Sequence, residues 1–175
     1  MAKLRKMLGS IESPHIISLM RVIETQSKET LADWALEYAK THFLPIYEAA
    51  YPEDKRFRDI ISAVEEWING TMKAAEVRPV LKEAGLIAKE AEGNPAAQAA
   101  ARATATACGT FRTPTNALGF TFYGAAAIAY DRLGLEADRE AYDLCAEEEL
   151  EKMLKSLQEK AVPDEKNPVK VNWNC

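Results

Sequence analysis

Apolar residues recur every three or four positions along most of the chain, which is the pattern of helices that bury one face. The clearest case runs from about Asp54 to Asn69 and is closed by Gly70. Its apolar stripe consists of Phe57, Ile60, Ile61, Val64, Trp67 and Ile68. No segment shows a convincing alternation of apolar and polar residues, so strands are not expected. The pattern therefore predicts an all-α protein.

Capping residues, prolines and glycines divide this pattern into roughly six or seven helices. Ser13 and Pro14 begin the first helix. Ser27 caps the second helix, and Pro45 is expected to bend or end it. Later boundaries are marked by Gly93-Asn94-Pro95, Thr113-Pro114, Gly134 and Asp138. We predict a single-domain helical bundle over residues 1–175, with a flexible N-terminal lead of about residues 1–12 and an extended tail of about residues 161–175.

A run of small side chains, P-A-A-Q-A-A-A-R-A-T-A-T-A-C, occupies residues 95–108. Alanine has the highest helix propensity, so residues 96–108 are expected to be helical. Methyl groups fill little space but let neighbouring backbones approach closely, so this helix is expected at the centre of the bundle. The next helix, about residues 114–133, would supply large side chains, and Gly119 and Gly124 would mark close backbone approaches. The two helices are predicted to form the structural centre.

Polar side chains gather where these two helices meet. We call this group the polar junction, and its members are Arg102, Arg112, Thr113, Thr115 and Asn116. In a structural interpretation, these groups cap helix ends and satisfy backbone donors at the turn. In a functional interpretation, they form a small polar pocket or a surface that faces a partner, and all of them except Thr115 could hold an anionic group at the helix start near Pro114. The sequence leaves both interpretations open.

The last helix carries a second group of candidate binding residues. We call this group the acidic face, and its members are Glu140, Asp143, Glu147 and Glu151. Their spacing of three or four places them on one side of the helix, where like charges cost about 0.2–0.5 kcal/mol per pair. A solvated helix surface and a docking surface for a basic partner both fit this pattern.

Charge and composition narrow the classes of partner. The 175 residues contain 27 acidic and 22 basic residues, for a net charge of -5, which disfavours nucleic-acid binding. The one basic cluster, Lys3, Arg5 and Lys6, is expected in a solvated tail. No apolar run is long enough to span a membrane and residues 1–9 contain no secretory signal, so a cytoplasmic protein is expected.

Catalytic and metal-binding patterns are not found in the sequence. The two histidines, His15 and His42, are too few for a histidine-rich metal site, and His42 is expected as a hydrogen-bonded core or boundary residue. The three widely spaced cysteines, Cys108, Cys145 and Cys175, are expected to be reduced thiols. Neither a nucleophile elbow nor a phosphate-binding loop is found. We therefore predict a protein that is not an enzyme and that holds no cofactor or metal.

Four segments carry a resemblance to a known family. They are S-P-H-I-I-S-L-M-R-V-I-E-T-Q-S-K-E-T, E-G-N-P-A-A-Q-A-A-A-R-A, T-P-T-N-A-L-G-F-T-F-Y-G-A-A-A-I-A-Y-D-R-L-G and V-N-W-N-C. With these segments the chain resembles the bacterial Imm-5-like putative immunity proteins over nearly its whole length. Relatives often carry histidine at the positions of Arg112 and Asn116, and this departure weakens a metal or acid–base role for the polar junction.

The resemblance implies a helical protein that binds and neutralises a cognate toxin by protein–protein contact, without catalysis. A basic toxin domain would be attracted to the acidic face. The alternative is a small-molecule-binding or sensing domain with an anion site near Arg112 and Asn116. A cryptic enzyme is the least favoured of the three hypotheses, and homo-oligomerisation is left open by the sequence.

Overall fold

A computed structural model describes residues 3–174 of the chain. Met1, Ala2 and Cys175 lie outside the described residues. The structure therefore does not bear on the predicted flexible lead at residues 1–2, or on the predicted tail and reduced thiol at Cys175. The described residues form α-helices and connecting segments without any strand, which confirms the all-α prediction. The helices are α1 (Pro14–Ile23), α2 (Lys28–Tyr38), α3 (Leu44–Ala50), α4 (Arg56–Ile68), α5 (Ala74–Glu90), α6 (Pro95–Cys108), α7 (Asn116–Leu133) and α8 (Arg139–Lys160).

Three of the predicted helix starts are capped by side chains. Ser27, Asn94 and Asp138 each accept a hydrogen bond from the backbone N–H three residues later, which satisfies a donor that has no partner inside the helix. Gly134 follows the end of α7 with a positive φ, a conformation that favours glycine. α7 begins at Asn116, two residues later than the predicted start at Pro114.

A π-helical segment, Ala39–Phe43, joins α2 to α3. Pro45 follows it, and proline has no N–H to donate while its ring clashes with the carbonyl four residues earlier in a regular α-helix. The wider π turn accommodates this residue. Pro45 therefore alters the long helix of residues 28–50 without ending it, and within the described residues the bundle has seven continuous helices.

The π segment decides which side chains face the core. Phe43 is fully buried and its ring occupies the space beside Gly124. His42 is exposed, and its ring lies against Tyr38 with a centroid distance of 4.2 Å. The prediction of a core or boundary position for His42 is therefore wrong, because the wider turn moves the inward position forward by one residue.

The hairpin of α6 and α7 lies at the centre, as predicted. α6 packs against α2, α3, α4, α5 and α7, and its alanines are almost all buried. The large side chains come from α7 and also from the long helix: Phe120 packs against Trp34 and Phe43 at centroid distances of 5.0 and 6.2 Å. Small residues on α6 therefore allow several helices to pack closely around it.

The described part of the lead, residues 3–12, runs along α7 without forming a helix. Leu8 is fully buried, and its N–H donates to the carbonyl of Phe122 at 3.2 Å. The Tyr130 hydroxyl donates to the carbonyl of Arg5 at 2.6 Å. These contacts attach the lead to the bundle, and the flexibility expected from the sequence stays a prediction.

The tail packs on its own chain beside the end of α1. Gln26 accepts two backbone hydrogen bonds from the tail. The N–H of Val162 donates to its side-chain carbonyl at 2.7 Å, and the N–H of Val169 donates to the backbone carbonyl of Gln26 at 2.8 Å. The Trp173 indole donates to Glu24 at 2.6 Å. Trp173 therefore attaches the end of the tail to the end of α1.

Candidate functional site

The acidic face lies on the outer side of the first half of α8. The opposite side of the helix is buried through Tyr142, Cys145, Ala146, Leu150, Met153 and Leu157, as the helical spacing predicts. Glu140 and Glu151 are exposed, while Asp143 and Glu147 are partly buried by the lead and by α1. The acidic face is therefore an exposed surface whose central part is shaped by residues from two other segments.

Three of the four carboxylates of the acidic face have partners. A guanidinium nitrogen of Arg5 lies 2.8 Å from Asp143, and Lys155 lies 3.2 Å from Glu151. Glu147 is paired with the start of α1, as described below. Among the described residues, Glu140 has no hydrogen bond or ion pair. Arg5 does not belong to a free solvated tail, and it neutralises part of the acidic face.

Glu147 fixes the start of α1 against α8. Its Oε2 accepts a hydrogen bond from the hydroxyl of Ser13 and lies within hydrogen-bond distance of Nδ1 of His15, both at 2.8 Å. Ser13 precedes α1 as the sequence predicts, but its hydroxyl makes this long-range bond and does not cap the helix. These contacts explain His15 as a residue that holds two helices together.

Exposed apolar side chains flank the same contact. Leu144, one turn before Glu147, is 63% exposed. It lies in a shallow depression of about 380 Å³ whose other lining residues are Arg139, Glu140, Asp143 and Glu147. Ile11, two residues before Ser13, is 74% exposed. An apolar side chain ringed by carboxylates is a suitable contact for a partner that presents both apolar and basic groups.

The polar junction is a less enclosed site. Arg112 and Thr113 are exposed, while Arg102 and Asn116 are partly buried. The Asn116 amide donates to the carbonyl of Thr106 at 3.2 Å, and the carbonyl of Thr115 accepts from the first turn of α7. Neither Arg102 nor Arg112 has an ion pair among the described residues. The structure thus gives Asn116 and Thr115 structural contacts and leaves the two guanidinium groups at the surface.

The structure does not bring the two groups of candidate residues together. The polar junction lies at the start of α7, whereas the acidic face begins just after the end of α7. An 18-residue helix spans about 27 Å, so Asn116 at the start of α7 and Glu140 beyond its end are too far apart to contact one small ligand together.

A buried acid on α8 was not among the candidates. Glu149 is 3% exposed and accepts a hydrogen bond from the Tyr38 hydroxyl at 2.6 Å. Burial raises the pKa of its carboxyl group, and the hydrogen bond from Tyr38 partly offsets this effect. Its position four residues after Cys145 and seven after Tyr142 is the signal that places it on the buried side of α8.

Cys108 and Cys145 are buried and free, and burial raises the pKa of Cys108 to about 12 and that of Cys145 above its ordinary value. Both therefore stay protonated near neutral pH, where a thiol is a poor nucleophile. In residues 3–174, no three His, Cys, Asp or Glu side chains are grouped to hold a metal ion. Within the same range, no helix has the length and apolar character needed to cross a membrane.

Comparison with known proteins identifies one family. The family model described as "Imm-5 like putative immunity protein" matches residues 21–156. The matched range contains the whole polar junction and the whole acidic face, and it leaves out the lead and the whole tail. Comparisons with curated proteins and with solved structures give no match.

Proposed function

The chain belongs to the Imm-5-like putative immunity proteins, and from this membership we propose that it neutralises a cognate bacterial toxin by binding it, without catalysis. Membership of this family implies a protein partner and suggests a role that is not enzymatic. The protonated state of the two buried thiols is consistent with that role. What the chain must then provide is a surface that recognises the toxin.

The first half of α8 is the best candidate for this surface. The observation that carries the proposal is Leu144, an apolar side chain that is 63% exposed and surrounded by Glu140, Asp143 and Glu147. A buried apolar contact inside a charged rim is the arrangement of an interface hot spot. Ile11 extends the apolar surface across the Glu147 contact.

Charge on this surface affects how fast a partner arrives. The whole chain has a net charge of -5, and Glu140 has no partner among the described residues. A basic toxin domain would be steered toward the acidic face, and its association rate would fall as salt is added. Because Arg5, His15 and Lys155 lie beside the other carboxylates, we expect the salt dependence to be moderate.

We rank the small-molecule-binding alternative at the polar junction second. It relies on Arg112 and Asn116, yet the Asn116 amide already donates to the carbonyl of Thr106. Residues 3–174 form five concave sites of about 360–720 Å³, and none of these five is lined by a residue of the polar junction. The exposed Arg112 remains available to contact a larger partner.

Co-expression with the candidate toxin from a neighbouring gene tests the proposal. Wild-type protein is expected to restore growth and to co-purify with the toxin. Leu144→Arg places a cation inside the interface and is expected to weaken the complex roughly 30-fold or more, the effect of losing a hot-spot residue worth about 2 kcal/mol. Leu86→Arg is the matched control, because Leu86 is a 46% exposed leucine on α5, which does not pack on α8.

The outcomes test the immunity function and the choice of α8 as the binding surface separately. Absence of both rescue and complex with the wild-type protein would contradict the immunity function. Rescue that Leu144→Arg leaves intact would keep the function and reject α8 as the surface. Equal losses in Leu144→Arg and Leu86→Arg would also reject α8, since the two positions share only their exposed leucine.

A further inference from the structure

A recess between the lead and the start of α8 has the composition of a ligand site. Its volume is about 420 Å³, within the range of small-molecule pockets. Its walls come from three segments that are distant in sequence: the lead, the end of α7, and the turn that leads into α8. The lining residues are Lys3, Leu4, Arg5, Tyr130, Leu135, Glu136, Ala137, Arg139 and Tyr142.

Two buried tyrosines support the walls of the recess. Tyr130 and Tyr142 pack edge to face with a centroid distance of 5.0 Å. The Tyr130 hydroxyl is bonded to the carbonyl of Arg5, and the Tyr142 hydroxyl donates to the carbonyl of Gly134 at 2.7 Å and accepts from the N–H of Ala137 at 3.2 Å. The same bonds hold the walls in place, so the recess exists before a ligand arrives. Both hydroxyls are occupied and each tyrosine is only 4% exposed, so the accessible apolar contact comes from Leu4 and from Leu135, which is 44% exposed.

The charges that line the recess favour a single negative charge. Arg5 is already neutralised by Asp143 at 2.8 Å. Lys3 and Arg139 have no ion pair among the described residues, and Glu136 opposes them, which leaves one net positive charge. A multiply charged phosphate would therefore be matched less well than a monoanion.

We propose that this recess binds a small organic acid, a carboxylate attached to an aromatic or branched aliphatic body. The apolar body would contact Leu4 and Leu135, and the carboxylate would lie at the rim near Arg139 and Lys3. The inference is independent of the immunity function, and it places a ligand site at the end of α7 opposite the polar junction.

The test measures binding of 2-naphthoate to the full-length protein by calorimetry and by amide chemical shifts. 2-Naphthoate is expected to bind and to shift amides of the lead and of residues 134–142. The uncharged relative 2-naphthalenemethanol is expected to bind about three- to fivefold more weakly, the effect of one exposed charge pair. Arg139→Gln should weaken the binding of naphthoate by a similar factor and leave the binding of the alcohol unchanged.

Matched variants make the result decisive. Lys152→Gln removes an exposed cation from the same helix outside the recess and should not change naphthoate binding. Ala137→Trp should fill the recess and abolish binding of both probes, with folding verified by a melting curve. Leu144→Arg, which tests the toxin-binding surface, should leave naphthoate binding unchanged.

The proposal would be overturned by no naphthoate binding, by shifts located away from the recess, or by equal effects of Arg139→Gln and Lys152→Gln. Equal affinity for naphthoate and the alcohol would also overturn it, because the rim cations would then play no part. Arg139→Gln changes a surface residue, so its result does not depend on whether Ala137→Trp folds.

Discussion

The contact between Glu149 and Tyr38 ties protonation to stability at a single residue. Burial raises the folded-state pKa of Glu149, so the folded protein binds this proton more tightly than the unfolded chain does. The corresponding stability is fully present below the unfolded pKa and is lost as pH rises through the raised pKa. For one proton the slope is at most about 1.4 kcal/mol per pH unit.

Glu149→Gln is predicted to remove this pH dependence. Glutamine keeps an oxygen that can accept from the Tyr38 hydroxyl but cannot ionise. Relative to wild type, the variant should therefore gain stability as pH rises through the raised pKa, and should gain little at pH 4. Urea unfolding between pH 4 and 8 measures the difference, and Glu159→Gln, at an exposed position of the same helix, controls for the lost charge. A difference between Glu149→Gln and wild type that is constant with pH would contradict the assignment.

At the scale of elements, two glycines of α7 have different roles although the sequence assigns both to close approaches. A Cβ at Gly124 would overlap the ring of Phe43, which is fully buried. A Cβ at Gly119 would lie 3.6 Å from a methyl group of Thr106, an ordinary contact. The two positions therefore form a matched pair on one helix.

Gly124→Ala is predicted to destabilise the protein by about 1–3 kcal/mol, because the ring of Phe43 or the backbone must move. Gly119→Ala is predicted to be neutral or to stabilise by up to about 1 kcal/mol through helix propensity. Chemical denaturation measures both values, and Phe43→Leu combined with Gly124→Ala should recover part of the loss. Equal effects of the two single substitutions would contradict the packing described for Phe43.

Helix caps and the π segment show how much of the fold could be predicted from the sequence. Caps such as Asn94 and Asp138 act within one turn, so local sequence was enough to locate the starts of α6 and α8. The π segment depends on how Phe43 fits beside Gly124, which lies 81 residues later in the chain. No periodicity reports a fit between distant residues, and the position of His42 was therefore predicted wrongly.

In the candidate site, too, local spacing was predictable and contacts between distant residues were not. The helical spacing correctly grouped the acidic face on one side of α8. It could not show that Arg5, Ser13 and His15 would lie beside Asp143 and Glu147, because those contacts join residues more than 130 positions apart. The exposed Leu144 interrupts an otherwise charged surface and is the signal that sequence analysis could have used.

For the whole molecule, the lead connects several of these features. It carries Arg5, which neutralises Asp143, and it forms one wall of the recess beside α8. Its attachment depends on Leu8, which is fully buried, while the neighbouring Met7 is 41% exposed. If the lead is docked in solution, these adjacent apolar residues must contribute very differently to stability.

Leu8→Ala is therefore predicted to lower the free energy of unfolding by about 2–4 kcal/mol, since it removes buried methyl groups and leaves a cavity beside α7 and α8. Met7→Ala is predicted to cost less than about 0.5 kcal/mol, as is usual for an exposed position. Equilibrium unfolding in urea measures both. A lead that is flexible in solution would give two equally small effects, and it would also leave the recess without one of its walls. Stability data on these two positions thus bear on the ligand site as well as on the fold.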